Sequence, residues 1–146
     1  MDPLIENFVQ GKRLAFVGLS RSGKKFGNSA YQELKARGYE LYAVHPEAKE
    51  IDGTPCYPSL AALPDKVDGV FVCLSPKKTK AVLAEAAEAG VTRIWLQQGS
   101  ESSEVLSEAS RLNLQVVSGK CILMYAPPVR SFHGFHRFVM KMIGQL

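Results

Sequence analysis

Five short segments of this chain hold residue types that bind anions or exchange protons. The first, Gly18-Leu19-Ser20-Arg21-Ser22-Gly23-Lys24-Lys25, combines glycines, hydroxyls and cations. Ahead of a helix, such a loop presents backbone N–H groups and a positive dipole end to an anion. It does not spell G-x-G-x-x-G. Gly18, Gly23 and Lys24 fit G-x-x-x-x-G-K, but Lys25 stands where a P-loop needs the Ser or Thr that holds Mg²⁺. Nucleotide hydrolysis through a Walker site therefore loses its support, while anion binding keeps its own. The other segments are His45-Pro46, Ser75-Pro76, Gln97-Gln98-Gly99 and Gly119-Lys120-Cys121. His45 has the chemistry of an acid or base, or of a hydrogen-bonding edge for a ligand. Cys121 follows Lys120, whose charge favours a thiolate, although a lone cysteine is more often a small core residue.

The elements around these segments explain why they belong together. The apolar runs at 14–17, which has the look of a strand covered on both faces, 41–44 and 70–74 read as strands, as do 93–96 and 115–117. Between them, helical spacing appears at 28–37, 79–89 and 102–111, and Asp2-Pro3 opens a short helix to about residue 9. The alternation predicts an α/β, doubly wound, mainly parallel five-stranded sheet of Rossmann-like type, with right-handed crossovers. Ligands of such sheets bind at the carboxyl ends of the strands, and each of the five segments lies just after a strand. Residues 47–68 are turn-rich (Asp52-Gly53, Pro55, Pro58, Pro64), with one helical turn expected at 60–63. Beyond Pro127-Pro128 a basic C-terminal amphipathic helix is expected over about 130–145, with Phe132, Phe135, Val139 and Met142 on one face. Docking on the domain or pairing in a homodimer is the first use for that face. His133 and His136 offer two metal ligands without a third, and the basic face also fits a membrane surface.

Composition bounds the function classes. The chain has 146 residues, which predicts one domain over 1–146, its core at about 12–124. With 46% hydrophobic and 22% charged residues it is not of disordered type. The net charge of +4 is too mild to indicate nucleic acid, but clustered it favours an anionic ligand. The longest apolar stretch, 121–129, falls far short of the ~18 residues that span a bilayer. Met1-Asp2-Pro3-Leu4-Ile5-Glu6 has no basic n-region, so no secretory signal is visible. Cys56, Cys73 and Cys121 form no Cys-x-x-Cys, which fits a reducing, cytoplasmic location.

The end of the second strand narrows the ligand. Dinucleotide folds that take NAD place Asp or Glu there for the ribose hydroxyl, whereas here His45-Pro46 come after Val44. Plain NAD is disfavoured, and a ligand with a phosphate on its adenosine ribose suits the nearby lysines.

Phe16-Val17-Gly18-Leu19-Ser20, Val44-His45-Pro46, Cys56-Tyr57-Pro58-Ser59-Leu60, Trp95-Leu96-Gln97-Gln98-Gly99 and Lys120-Cys121 stand in the order and spacing of the small CoA-binding proteins. From about residue 12 to 124 the chain resembles that family, itself similar to the N-terminal domain of the succinyl-CoA synthetase α subunit. The resemblance implies a Rossmann-like domain that binds coenzyme A, with residues 20–23 near its phosphates and Ser75-Pro76 beside the nucleotide. The implied contacts are Gly18, Ser20, Arg21, Ser22, Gly23, Lys25, His45, Pro46, Ser75, Pro76, Gln97 and Gly99. Two departures touch ligand positions: Glu47 stands where the family often has Lys, with Lys49 two places on, and Gly119-Lys120 precede the late cysteine where Asn or Asp, then Arg, is usual. The nucleotide-dependent synthetases phosphorylate a histidine in a second domain, for which 146 residues leave no room. The expected function is therefore non-catalytic binding of coenzyme A or an acyl-CoA at the sheet's carboxyl edge. Its competitors are an NADP-dependent oxidoreductase or small acyl-CoA enzyme using His45 or Cys121, and a regulatory module that recruits a partner through its basic tail.

Overall fold

The computed structural model describes residues 2–21 and 26–127. Asp2 accepts a hydrogen bond from the Leu4 N–H (2.9 Å) and Pro3 supplies a preset first turn, which starts helix α1, Pro3–Gln10. Strand β1 (Arg13–Val17), helix α2 (Phe26–Ala36) and strand β2 (Glu40–Val44) come next. Later come β5 (Gly69–Val72), α3 (Pro76–Glu88), β6 (Arg93–Leu96), α4 (Ser103–Arg111) and β7 (Gln115–Ser118). All five expected strands and all four expected helices of the described region are present, their ends within three residues of expectation.

The sheet has seven strands rather than five. The additional pair is β3 (Glu50–Ile51) and β4 (Thr54–Tyr57), inside the segment expected to be turns. Asp52 and Gly53 both take positive φ (48° and 79°), so the Asp-Gly pair closes a tight hairpin. β4 then lies parallel to β2, pairing Ala43 with Cys56 and Val44 with Tyr57, and β3 is the antiparallel edge. Two- and four-residue strands are too short to show a period, and Pro55 argues against a strand at all. The helical turn expected at 60–63 is present as a single 3₁₀ turn over Leu60–Ala62. The expected C-terminal helix, with His133, His136 and any homodimer contact, lies outside the described residues.

The strand order is β3-β4-β2-β1-β5-β6-β7, with helices on both faces. Alternation along the buried strands divides the core in two. Leu14, Phe16, Phe71 and Trp95 face α1, α2 and residues 122–126, whereas Ala15, Val17, Val70, Val72, Ile94 and Leu96 face α3, α4 and Leu60. Phe16 stacks on Phe71 (4.7 Å between ring centroids) and meets Tyr31 edge-on (5.2 Å). Each such buried side chain contributes about 1.5–3 kcal/mol of hydrophobic stabilisation.

Two polar contacts hold the first layer in place. The Arg37 side chain is 2% exposed, pairs with Glu33 (3.0 Å), and donates through Nη1 to the carbonyls of Leu123 (2.8 Å) and Ala126 (2.9 Å). It thereby ties the segment after β7 to the end of α2. The Tyr39 hydroxyl donates to the Val9 carbonyl (2.5 Å), and burial pushes its ionisation up to about 12.

Replacing Arg37 by Ala leaves two buried carbonyls and Glu33 without this partner, so urea denaturation should show a loss of about 2–4 kcal/mol. Tyr39 generates a pH dependence. Its folded value lies above its ordinary value near 10, so its contribution is complete below pH 10 and is lost as pH rises toward 12. Stability should fall by about 2–3 kcal/mol from this group across that window. Tyr39→Phe should flatten that part of the alkaline slope in urea titrations, at a cost of about 1 kcal/mol near neutrality.

Candidate functional site

The strand order reverses between β1 and β5, since the chain moves from β1 outward through β2 and β4, then returns to the other side. A cleft outside the carboxyl ends is expected at such a reversal. Here Gly18 leaves β1 at φ +152°, and a Cβ on it would stand 2.7 Å from the Cys73 carbonyl oxygen. Gly27, in the first turn of α2, sits so close that its Cβ would be 2.2 Å from the Gly18 oxygen. The loop after β1 therefore threads between the end of β5 and the start of α2, where only hydrogen fits.

Asn28 holds the loop at Ser20. Its side-chain amide accepts from the Ser20 N–H (2.9 Å) and donates to the Ser20 carbonyl (3.0 Å), completing both backbone groups as a neighbouring strand would. Arg21 comes next and is exposed. The expected contacts Ser22, Gly23 and Lys25 lie outside the described residues, as does Lys24.

The loop after β2 is also built. The His45 N–H donates to the Tyr57 carbonyl (2.9 Å), and its Nδ1 accepts from the N–H groups of Glu47 (3.1 Å) and Ala48 (2.9 Å). Nδ1 is therefore the unprotonated nitrogen, and Nε2 carries the proton of the neutral ring. Pro46 is exposed within this turn. The turn returns a carboxylate to a strand end that begins with His45-Pro46: Glu47 Oε2 lies 2.6 Å from Arg21 Nη2.

Across the reversal, Ser75 precedes α3, and its carbonyl accepts from the N–H (3.0 Å) and hydroxyl (2.9 Å) of Thr79. Pro76 starts the helix, the Ser75 hydroxyl makes no capping bond, and Lys77 and Lys78 are exposed in the first turn. After β6, Gln97 is buried, and its Oε1 accepts from the Ile122 N–H (3.1 Å). Gly99 turns the chain at φ +96°. Ser100 bridges the two loops, donating to the Val72 carbonyl (3.3 Å) and accepting from the Leu74 N–H (3.1 Å). Trp95 Nε1 donates to the Lys120 carbonyl (3.1 Å), which positions the loop after β7.

The described candidates thus all stand on one edge of the sheet. Gly18, Ser20, Arg21, His45 and Pro46 belong to its β1–β2 part, and Ser75, Pro76 and Gly99 to its β5–β6 part. Gln97 belongs to the frame beneath. Sequence reasoning missed Gly27, Asn28 and Ser100 as site residues, because Asn28 reads as the start of a helix and Gly27 and Ser100 as ordinary loop residues. Cys73 is half-buried, and burial, with nearby Cys121 adding to it, pushes its thiol up to about 11. Cys121 is buried in the core against Ile122 and Leu123. Among the described residues no three His, Cys, Asp or Glu side chains gather as a metal site, and no helix is long and apolar enough to cross a membrane.

The chain has relatives among known proteins. Residues 12–127 match the family model described as the CoA binding domain. The ADP-forming acetate–CoA ligase II of Archaeoglobus fulgidus is 30% identical over 129 residues, spanning 86% of this chain and 19% of that protein. The chain thus spans about a fifth of the length of the first curated relatives it matches. A conserved hypothetical protein of Pyrococcus furiosus is 35% identical with a TM-score of 0.71, over 76% of this chain and 96% of the other. A hypothetical protein of Pyrococcus horikoshii is 28% identical with a TM-score of 0.77, over 86% and 89%.

The Asn28 contacts predict that Asn28→Ala frees the loop after β1. The Ser20 amide should exchange with solvent at least tenfold faster by NMR, and the loss of two part-buried hydrogen bonds should lower stability by about 1–3 kcal/mol. Unchanged exchange at Ser20 would remove Asn28 from the loop's framework.

Proposed function

Because the chain belongs to the CoA-binding domain family, we propose that it binds coenzyme A or an acyl-CoA, without chemistry of its own, at the carboxyl edge of its parallel sheet. The observation that carries this is the position of the loop after β1, fixed by Gly18, Gly27 and Asn28 at the point where the strand order reverses, ahead of the N-terminus of α2. A loop placed ahead of a helix N-terminus offers backbone N–H groups and the positive dipole end to a phosphate chain.

The donor set suits the group. Coenzyme A is multiply anionic, and Arg21, Lys77 and Lys78 stand exposed at this edge, with Ser22, Gly23 and Lys25 continuing the first loop in sequence. Charge-assisted hydrogen bonds of this kind contribute about 1.5–3 kcal/mol when well placed. Ser75, whose hydroxyl is not used in capping, and Pro76 face the nucleotide, while His45 offers Nε2–H and Pro46 an apolar edge. Gln97 acts through the frame, and Gly99 turns the chain beside the cleft. Among the described residues Glu101 Oε2 is buried without a hydrogen-bond partner, an acceptor that suits an amide N–H of the pantetheine arm. When bound, coenzyme A supplies a thiol that carries acyl groups as thioesters.

An NADP-dependent oxidoreductase or an acyl-CoA enzyme finds less here. Nδ1 of His45 is occupied in its own turn, and Cys121 is a core residue. The chain spans 19% of the acetate–CoA ligase of Archaeoglobus fulgidus, so the function proposed is the binding step alone, in a cytoplasmic setting.

Isothermal titration with coenzyme A, acetyl-CoA and NADP tests the assignment. Coenzyme A and acetyl-CoA should bind alike, more weakly at high ionic strength, and NADP should bind far less well. Arg21→Ala with Lys25→Ala should weaken coenzyme A at low salt by about tenfold or more. Equal indifference to all three ligands would sink the proposal.

A further inference from the structure

The loops after β1 and β2 leave adjacent strands whose last residues, Val17 and Val44, are in register. Arg21 from one loop and Glu47 from the other meet at 2.6 Å across that edge. In doubly wound nucleotide-binding sheets this is where the adenosine ribose lies: an acid there accepts its hydroxyls, and an arginine there takes a ribose phosphate. This chain carries one of each and joins them. Glu47 is also placed by a built turn, since its own N–H is held by His45 Nδ1 (3.1 Å). The two side chains are 57% and 73% exposed, so the pair contributes little to folding, and its consequence falls on what binds beside it.

We infer that Glu47 is a specificity-determining residue that sets the site against a phosphate on the ligand's ribose and in favour of free ribose hydroxyls, resting on the coenzyme A site proposed above. A ribose phosphate must take Arg21 away from Glu47 and then lie beside a carboxylate of like charge. A ribose with free hydroxyls donates hydrogen bonds to that carboxylate and leaves the ion pair intact. Within the coenzyme A site, this edge therefore favours the dephospho form of the ligand's ribose. Coenzyme A itself binds against the repulsion. The sequence alone points the other way, because His45-Pro46 come after β2 and lysines lie nearby.

Coenzyme A and dephospho-coenzyme A differ only in the 3′-phosphate, so titrating both into the wild-type chain and a Glu47→Gln variant at low ionic strength isolates the effect. The wild type should bind dephospho-coenzyme A at least as tightly as coenzyme A. Glu47→Gln should tighten coenzyme A by about fivefold, the scale of one exposed charge interaction, and weaken dephospho-coenzyme A, whose ribose hydroxyls lose a charged acceptor. Adding Arg21→Gln should abolish the gain, which places it on the freed guanidinium. Because both side chains are exposed, the variants should keep the wild-type Tm. Equal changes for the two ligands, no change for either, or a gain that survives Arg21→Gln would overturn the role of Glu47 while leaving the coenzyme A site standing. A wild type that binds neither ligand removes the site and this inference together.

Discussion

Two missing side-chain carbons set the geometry on which the carboxyl edge depends. With Gly27 against the Gly18 carbonyl and Gly18 against Cys73, β1, β5 and α2 converge more closely than any other residue pair would permit. The consequences spread outward. α2 begins within reach of the loop, so Asn28 can complete both backbone groups of Ser20. The same helix carries Ala30, Tyr31 and Leu34 onto the sheet, and at its end Arg37 reaches the segment after β7. A Cβ at either glycine must push against backbone atoms, which cannot give way as a flexible side chain can.

Charge is used differently in the interior and at the edge. Arg37 is enclosed, so removing it strands the buried carbonyls of Leu123 and Ala126; its energetic weight comes from that desolvation. Arg21 and Glu47 are as close, yet exposed, and solvent screens them to a small fraction of that weight. An exposed pair is free to exchange partners when an anion arrives. The net charge of +4 is therefore not spread uniformly: Arg21, Lys77 and Lys78 lie at the ends of β1 and β5, where the proposed ligand is anionic.

The buried strands were legible because a parallel strand covered on both faces must be apolar throughout, as in Leu14-Ala15-Phe16-Val17 and Val70-Phe71-Val72. The β3–β4 hairpin was not, because Asp52-Gly53 predicts a turn but says nothing of the two residues before it. Pro55 hides the strand after it, and partnership with β2 stabilises both. The site divides in the same way. Gly18, Ser20, Arg21 and Ser75 come directly after strands and are found by that rule alone. Asn28 and Ser100 act through partners far away in sequence or across a turn, which no local pattern encodes. Gln97 reads as a residue of the cleft, yet its Oε1 points at the Ile122 N–H, a contact made only once β7 is in place.

By itself, the sequence determined the α/β alternation, the placement of every chemical segment after a strand, and the kinship with CoA-binding domains, since these arise from local periodicity, turn residues and short motifs in order. Tertiary structure alone decided which of those segments meet. It returned Glu47 to an edge that begins with His45-Pro46, set it against Arg21, and turned His45 Nδ1 inward to hold that turn. The physical reason is distance: periodicity records which face a residue takes on its own element, whereas hydrogen bonds and ion pairs a few ångströms long exist only after the elements have packed.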